Sequence, residues 1–140
     1  MVNDGSAEQA ASLFQQLAQK YTYLTLVEHS INQGKGGAVQ TGLKVAYSQG
    51  FTHALQIDAD GQHDLNDVDK MLSESENHPK ALISGKPIYD ESVPKHRYYA
   101  RNITHFWVWI ETLSFQIKDT MCGYRVYPLA ETVELLSQQA

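Results

Sequence analysis

Three short apolar runs, separated by stretches with helical spacing, constrain this chain more than any other feature. Residues 23–27 (Tyr23-Leu24-Thr25-Leu26-Val27), 53–57 and 81–85 are each short and rich in β-formers, and each reads as a buried strand. Between the first two, Val39, Leu43, Ala46 and Tyr47 recur at three- and four-residue spacing; between the last two, Val68, Met71 and Leu72 do so within residues 65–76. An earlier stripe of Leu13, Phe14, Leu17 and Ala18 predicts a helix opened by a capping box at Ser6-Ala7-Glu8-Gln9. Alternation of strand and helix predicts an α/β domain with a mostly parallel sheet and helices on both faces.

The second run stops on Asp58-Ala59-Asp60-Gly61-Gln62-His63-Asp64. Continued as a strand, residues 58 and 60 share a face, Gly61 lets the chain turn, and Gln62 adds a neutral oxygen on the same side. Hard oxygen donors at a strand end suit Mg²⁺ or Mn²⁺ with a phosphate-bearing ligand. Paired carboxylates repel unless a cation joins them, which favours a binding role for Asp58 and Asp60 over a merely acidic loop. Asp64 is expected to cap the next helix. An EF-hand is excluded, because its sixth and twelfth positions would be His63 and Asp69 and the glycine comes two places early.

The first run leads into Asn32-Gln33-Gly34-Lys35-Gly36-Gly37-Ala38. A glycine-rich strand-to-helix turn aims backbone N–H groups and a helix N-terminus at whatever sits by the strand end, and Lys35 adds a point charge for phosphate. Read alone, the same residues also make a tight turn with a solvated lysine. A Walker A loop is excluded, since His29 stands where its first glycine belongs and Gly36 follows the lysine. In sheets of this kind ligands gather at the carboxyl ends of strands, where both this loop and Asp58/Asp60 are expected.

Beyond Gly85 comes a polar segment with Pro87 and Pro94, expected to be a mobile loop. Arg97 and Arg101 then lie one helical turn apart, ahead of Ile103, Phe106, Ile110, Leu113 and Ile117, an amphipathic helix with Trp107 and Trp109 off its stripe. The arginine pair suits an anionic ligand as well as it suits solvent. The tryptophans suit a membrane interface or a packed contact. Asp119-Thr120-Met121-Cys122-Gly123-Tyr124-Arg125-Val126-Tyr127 turns at Gly123 into a strand over 124–127, and a last helix carries Leu129, Val133 and Leu136. By spacing alone Asp119 is a turn residue or a base, and Cys122 a small buried hydrophobe.

Composition narrows the function classes. With 140 residues the chain is one domain, and 11 Lys+Arg against 16 Asp+Glu argues against a general nucleic-acid binder. The single cysteine excludes an internal disulfide and fits a reducing, cytoplasmic setting. The N-terminus is polar almost at once and unlike a signal peptide, and the 103–117 window is too short and polar to span a bilayer. The turn at Asn3-Asp4-Gly5-Ser6 has only Met1-Val2 ahead of it, too little for the strand that should precede it, so the chain is expected to begin inside a fold.

Taken in order, five motifs resemble the family 2 glycosyltransferases of the GT-A fold, and most of all the dolichyl- and polyprenyl-phosphate sugar synthases. They are residues 2–6, 32–38, 58–63, Arg97 with Arg101-Asn102, and 119–127, spread over nearly the whole chain. The resemblance implies a Rossmann-like sheet and an inverting transfer from a UDP- or GDP-sugar to a polyprenyl-phosphate or hydroxyl acceptor. It implies that Asp4 contacts the nucleotide's base or ribose and that Lys35 and Gly36 lie beside the donor. Asp58, Asp60 and Gln62 would hold the metal and diphosphate, and Arg97 and Arg101 would meet the acceptor phosphate. Asp119 would act as base, with Gly123 and Arg125 in the same motif. Asn3 stands where the family more often has aspartate.

The same resemblance implies that a first strand, further donor pocket and any membrane-associated tail are absent from a 1–140 catalytic piece. Such a piece is expected to turn over poorly, to dimerise through an exposed sheet edge, and to work at the cytoplasmic face of a membrane within a longer protein. Two other classes share these features: a sugar nucleotidyltransferase, which would need a glycine-rich first strand, and a non-catalytic domain that binds a nucleotide or a partner.

Overall fold

A computed structural model of the protein describes residues 1–61, 63–85 and 122–138. They fall into two compact units, one of residues 1–54 with 127–140 and one of residues 55–126.

In the first unit, β1 (Val2–Asn3) pairs in parallel with β2 (Val27–Glu28), with Val2 opposite Val27 and Asn3 opposite Glu28. The strand for which the sequence left no room therefore exists as a two-residue stub. Its length also limits its partner. Residues 23–27 were expected to form a buried strand, but the ladder starts only at Val27, and Tyr23 sits in a turn at 83% exposure. The Met1 ammonium extends the pairing by donating to the Thr25 carbonyl at 2.7 Å.

Helix α1 (Glu8–Lys20) starts later than the capping box requires, with Ala7 as N-cap and no side-chain cap. Ser6 is instead fixed by its own backbone N–H, which donates to Asn3 Oδ1 at 3.0 Å. None of its residues is buried, and Leu13 is exposed. Helix α2 (Gly34–Ser48) begins at the first glycine, so the glycine-rich turn is the helix's own first turn. It ends in a Schellman motif: Gly50 takes φ 86, its N–H donates to Tyr47 O, and the Phe51 N–H donates to Ala46 O. Leu43 is buried on α2, whereas Tyr47 is exposed. This helix packs on β1 and on α4 (Leu129–Gln138), whose first residue, Leu129, is fully buried.

The second unit takes in the end of β3 (His53–Gln56), a 3-10 turn (Leu65–Asp67), α3 (Val68–Asn77), β4 (Ile83–Ser84) and the start of β5 (Arg125–Pro128). Strand order is β3-β5-β4, and β5 runs antiparallel to β4, with Ile83 opposite Val126 and Ser84 opposite Arg125. The α/β class holds, but among the described residues β1 and β2 pair in parallel and β4 and β5 antiparallel, short of the mostly parallel sheet expected. Alternation dictates direction only within a strand-helix-strand unit, and β5 follows β4 across residues 86–121. Met71, Tyr124 and Val126 form the core, with Leu55, Val68, Ile83 and Cys122 packed on it. Leu72, expected inward, is exposed. As expected, Asp64 caps, its carboxylate accepting the Asn66 N–H at 2.9 Å.

Candidate functional site

The Asp4 turn in the first unit is held from two sides. Parallel register puts Asn3 opposite Glu28, so the next residue on each strand, Asp4 and His29, emerge side by side. Asp4 Oδ1 lies 2.7 Å from His29 Nδ1 and accepts the Gln33 backbone N–H at 2.8 Å. Asn32 closes the loop, donating through Nδ2 to the Asp4 carbonyl at 2.8 Å and accepting the Gly34 N–H at 2.9 Å. Gly5 turns with φ 76, a left-handed conformation that favours glycine, and lies alongside Asn32. The Gln33 N–H first, and the His29 hydrogen bond second, hold the Asp4 carboxyl below its ordinary value against the opposing effect of burial. Both of these hydrogen bonds use Oδ1, and the Gly34 backbone N–H adds a weaker pull on the same carboxyl.

Two neighbours explain the local sequence. Asn3 is buried, its Nδ2 donating to Glu28 Oε1 at 3.2 Å and its Oδ1 accepting from Ser6. An aspartate in that position would set a second carboxylate against Glu28, a physical reason for the amide here. At the start of α2, Gly34 takes φ 76, and Gln33 as N-cap provides no side-chain cap to the first-turn N–H groups. Lys35 and Gly36 are the second and third residues of this helix, both exposed, and nothing lies within 4 Å of a β-carbon built on Gly34 or Gly36. Backbone N–H groups at a helix N-terminus and a lysine, beside a carboxylate, are groups that suit a nucleotide.

In the second unit the acidic stretch is organised differently from expectation. β3 stops at Gln56, so Asp58 and Asp60 belong to the turn, where the strand pleat does not put them on one face. Asp58 is half-buried and Asp60 exposed, and Gly61 makes the turn with φ 72. The Asp58 carboxylate lies against Gly123, filling the place of the missing β-carbon. Gln56 Nε2 donates to its Oδ1 at 3.4 Å, and His63 Nε2 approaches Oδ2 at 3.6 Å. The His63 ring stacks on Tyr124 with centroids 4.9 Å apart, and the Tyr124 hydroxyl donates to the Asp64 carbonyl at 3.3 Å. Burial first, then the charges of Asp67 and Asp64, push the Tyr124 phenol above its ordinary value.

The second unit thus brings together Asp58 and the stretch with Gly123 and Arg125, the latter half-buried in β5 opposite Ser84. Gln62, Arg97, Arg101 and Asp119, together with the expected loop and the tryptophan-bearing helix, lie outside the described residues. Among the described residues no group of three or more His, Cys, Asp or Glu is placed to hold a metal ion, and no helix is long and apolar enough to cross a membrane. Sequence reasoning missed His29 and His63. The signal for His29 was the β1–β2 register, which becomes visible only once the strands are paired.

Relatives carry related chemistry in their names. The chain is 31% identical over 136 residues to a dolichyl-phosphate beta-glucosyltransferase of Trichomonas vaginalis, covering 91% of this chain and 40% of that protein. The human dolichyl-phosphate beta-glucosyltransferase is 30% identical over 142 residues, covering 91% of this chain and 42% of its own length. A UDP-N-acetylglucosamine–dolichyl-phosphate N-acetylglucosaminyltransferase of Methanococcus voltae is 29% identical over 116 residues, covering 81% of this chain and 46% of its own length. The chain therefore spans less than half the length of each of these three relatives. Residues 1–132 match the sequence profile of Glycosyl transferase family 2, and since that takes in both clusters built above, the chain belongs to glycosyl transferase family 2.

Proposed function

We propose that this chain is the donor-handling part of an inverting glycosyltransferase that moves a sugar from a nucleoside-diphosphate sugar to a polyprenyl-phosphate acceptor, in a GT-A fold whose sheet is largely parallel. The observation that carries the reading is the seat of the Asp58 carboxylate on Gly123, which joins a donor-side motif to the motif on the acceptor side. The names of the relatives support the acceptor class, and one of them names a UDP-sugar donor.

In this reading Asp4 Oδ2 and the N–H groups opening α2 take the nucleotide, with Lys35 beside its phosphates. Asp58 and Asp60, with Gln62, hold Mg²⁺ or Mn²⁺. Two carboxylates fit such an ion when the ligand's own phosphate oxygens complete the shell, which needs no larger cluster of protein ligands. A divalent cation bound there supplies neutralisation of the charge that grows on the β-phosphate as its bond to the sugar breaks.

An acceptor phosphate oxygen attacks the anomeric carbon from the face opposite the leaving diphosphate, forming one C–O bond as the other breaks and inverting the centre. Arg97 and Arg101 orient that phosphate, which is already anionic and needs no base. A hydroxyl acceptor would give its proton to Asp119. Arg125 acts beside the acceptor motif. The enzyme works against the cytoplasmic face of a membrane by peripheral contact, and the two-residue β1–β2 edge offers a dimer contact.

Calorimetry with UDP-glucose and GDP-mannose, with and without Mn²⁺, tests the reading. Metal-dependent binding of one donor, lost in Asp60→Ala, supports it. Failure to bind either nucleotide sugar under any condition overturns it.

A further inference from the structure

Both ring nitrogens of His29 are engaged, and each reaches a different element. Nδ1 meets Asp4 Oδ1 at 2.7 Å, while Nε2 lies 2.9 Å from the Thr41 hydroxyl, two turns into α2. The ring is nearly enclosed, its side chain 7% exposed against 16% for Asp4. A carboxylate only accepts, so Nδ1 must carry a proton; Nε2 then accepts from the Thr41 hydroxyl when the ring is neutral, and the hydroxyl can also accept if the ring is charged. The His29 backbone N–H donates to the Asn3 carbonyl at 2.9 Å, fixing the ring's root to β1.

The consequence concerns Asp4. Its Oδ1 is shared between His29 and the Gln33 N–H, the residue that caps α2. Its other oxygen, and the first-turn donors of α2, are the groups assigned above to the nucleotide. We propose that His29 is the positioning residue of the donor end: by bridging Asp4 to Thr41 it sets the distance from the outward Asp4 oxygen to the N-terminus of α2. This rests on the donor reading of that end. His29 itself touches neither substrate nor metal in this proposal. It acts through Asp4 and the 32–34 loop, so its loss is felt as weaker nucleotide binding while the core of the other unit is untouched.

Isosteres separate its two bonds. In His29→Asn the amide nitrogen falls near Nδ1 and retains a donor for Asp4; His29→Leu retains neither bond; Thr41→Val removes only the outer anchor without a change of shape. The test follows hydrogen exchange at the Gln33 amide and binding of UDP and GDP with Mn²⁺, with exchange at the Leu129 amide, which donates to Thr52 O in the same unit, as the control for folding. Leu is expected to speed Gln33 exchange and weaken the preferred nucleotide by on the order of tenfold, the size of one hydrogen bond to a charged group. Asn is expected to restore most of that loss, and Thr41→Val to weaken binding a few-fold.

Leu and Asn equally defective, or Gln33 exchange accelerated with nucleotide affinity unchanged, would overturn the proposal. Should His29→Leu lose Leu129 protection as well, Thr41→Val decides alone, and unchanged affinity there overturns it. If the unaltered chain binds neither nucleotide, the donor reading falls, and with it the proposal as a statement about nucleotides; Gln33 exchange then still decides whether His29 orders the loop.

Discussion

The carboxylate of Asp58 occupies the space over Gly123 that a β-carbon would fill. The two residues come from motifs far apart in the chain, and their contact explains glycine at 123 by space rather than by backbone conformation. No side chain fits there unless the acidic turn moves.

Gly123→Ala is therefore expected to displace Asp58 without unfolding the unit. Overpacking costs about 1–3 kcal/mol. Displacing a ligand from its support lowers metal-dependent nucleotide affinity by about 10–100-fold. Calorimetry with Mn²⁺ reads the second effect and thermal unfolding the first; retained metal-dependent affinity would show that Asp58 is not a ligand.

Gly36 and Gly37 are neighbours in α2 with opposite surroundings. A β-carbon on Gly36 meets nothing within 4 Å, whereas on Gly37 it would stand 2.6 Å from Gln33 Cβ. Alanine favours a helix over glycine by up to about 1 kcal/mol. Gly36→Ala should thus raise stability slightly while narrowing the approach to the helix N-terminus, and so weaken nucleotide binding. In Gly37→Ala the overlap outweighs the same gain, and a net loss of about 1–2 kcal/mol is expected in denaturant titrations.

Acid and alkali should strike different units. The fold favours ionised Asp4, since its carboxyl is held below the ordinary value by the Gln33 N–H and by His29. Its contribution is complete above the unfolded value of about 3.9 and is lost as pH falls through the lower folded one. Gln33 amide protection is expected to survive at about pH 4 and to decay below it. Tyr124 is raised, by burial and then by Asp67 and Asp64. Its contribution is complete below about 10 and is lost as pH rises through the folded value. Tyr124→Phe should abolish that alkaline limb in a pH series of unfolding curves.

Asn3→Asp would install the residue that the family resemblance led one to expect, and it is expected to destabilise this chain. The change removes the Nδ2 donor to Glu28 and sets a carboxylate against it. With Glu28 exposed to screening, a loss of about 1–2 kcal/mol at neutral pH is expected. Repulsion raises a carboxyl pKa, so stability should recover as pH falls through the raised value. A variant as stable as the parent at pH 7 would refute the electrostatic account of Asn3.

Order and type of elements were legible because each depended on local pattern: the stripes around Leu43 and Met71, the run into Gln56, the turns at Gly50 and Gly61. The family was legible from motif order. What could not be read depended on partners distant in sequence. Ser6 looked like a helix cap until the Asn3 amide took its N–H. Residues 23–26 looked like strand until β1 proved too short to pair them. His29 carries no local mark at all, because its meaning lies in standing beside Asp4 across a parallel pair. Asp58 and Asp60 were singled out from chemistry, yet the pleat argument for their shared face failed once β3 ended at Gln56.

His29 and the Gln33 N–H share Oδ1 of Asp4, so a single atom swap at this carboxylate can divide its anchoring from the polarity of its other edge. Asp4→Asn can keep a carbonyl oxygen toward Gln33 and His29 while turning an NH₂ outward. Anchoring would survive and the polarity of the outward edge would invert, from one that welcomes N–H groups to one that welcomes lone pairs. In the proposed donor reading, the most conservative replacement in size is thus the one that most changes which base edge this end of the chain can read.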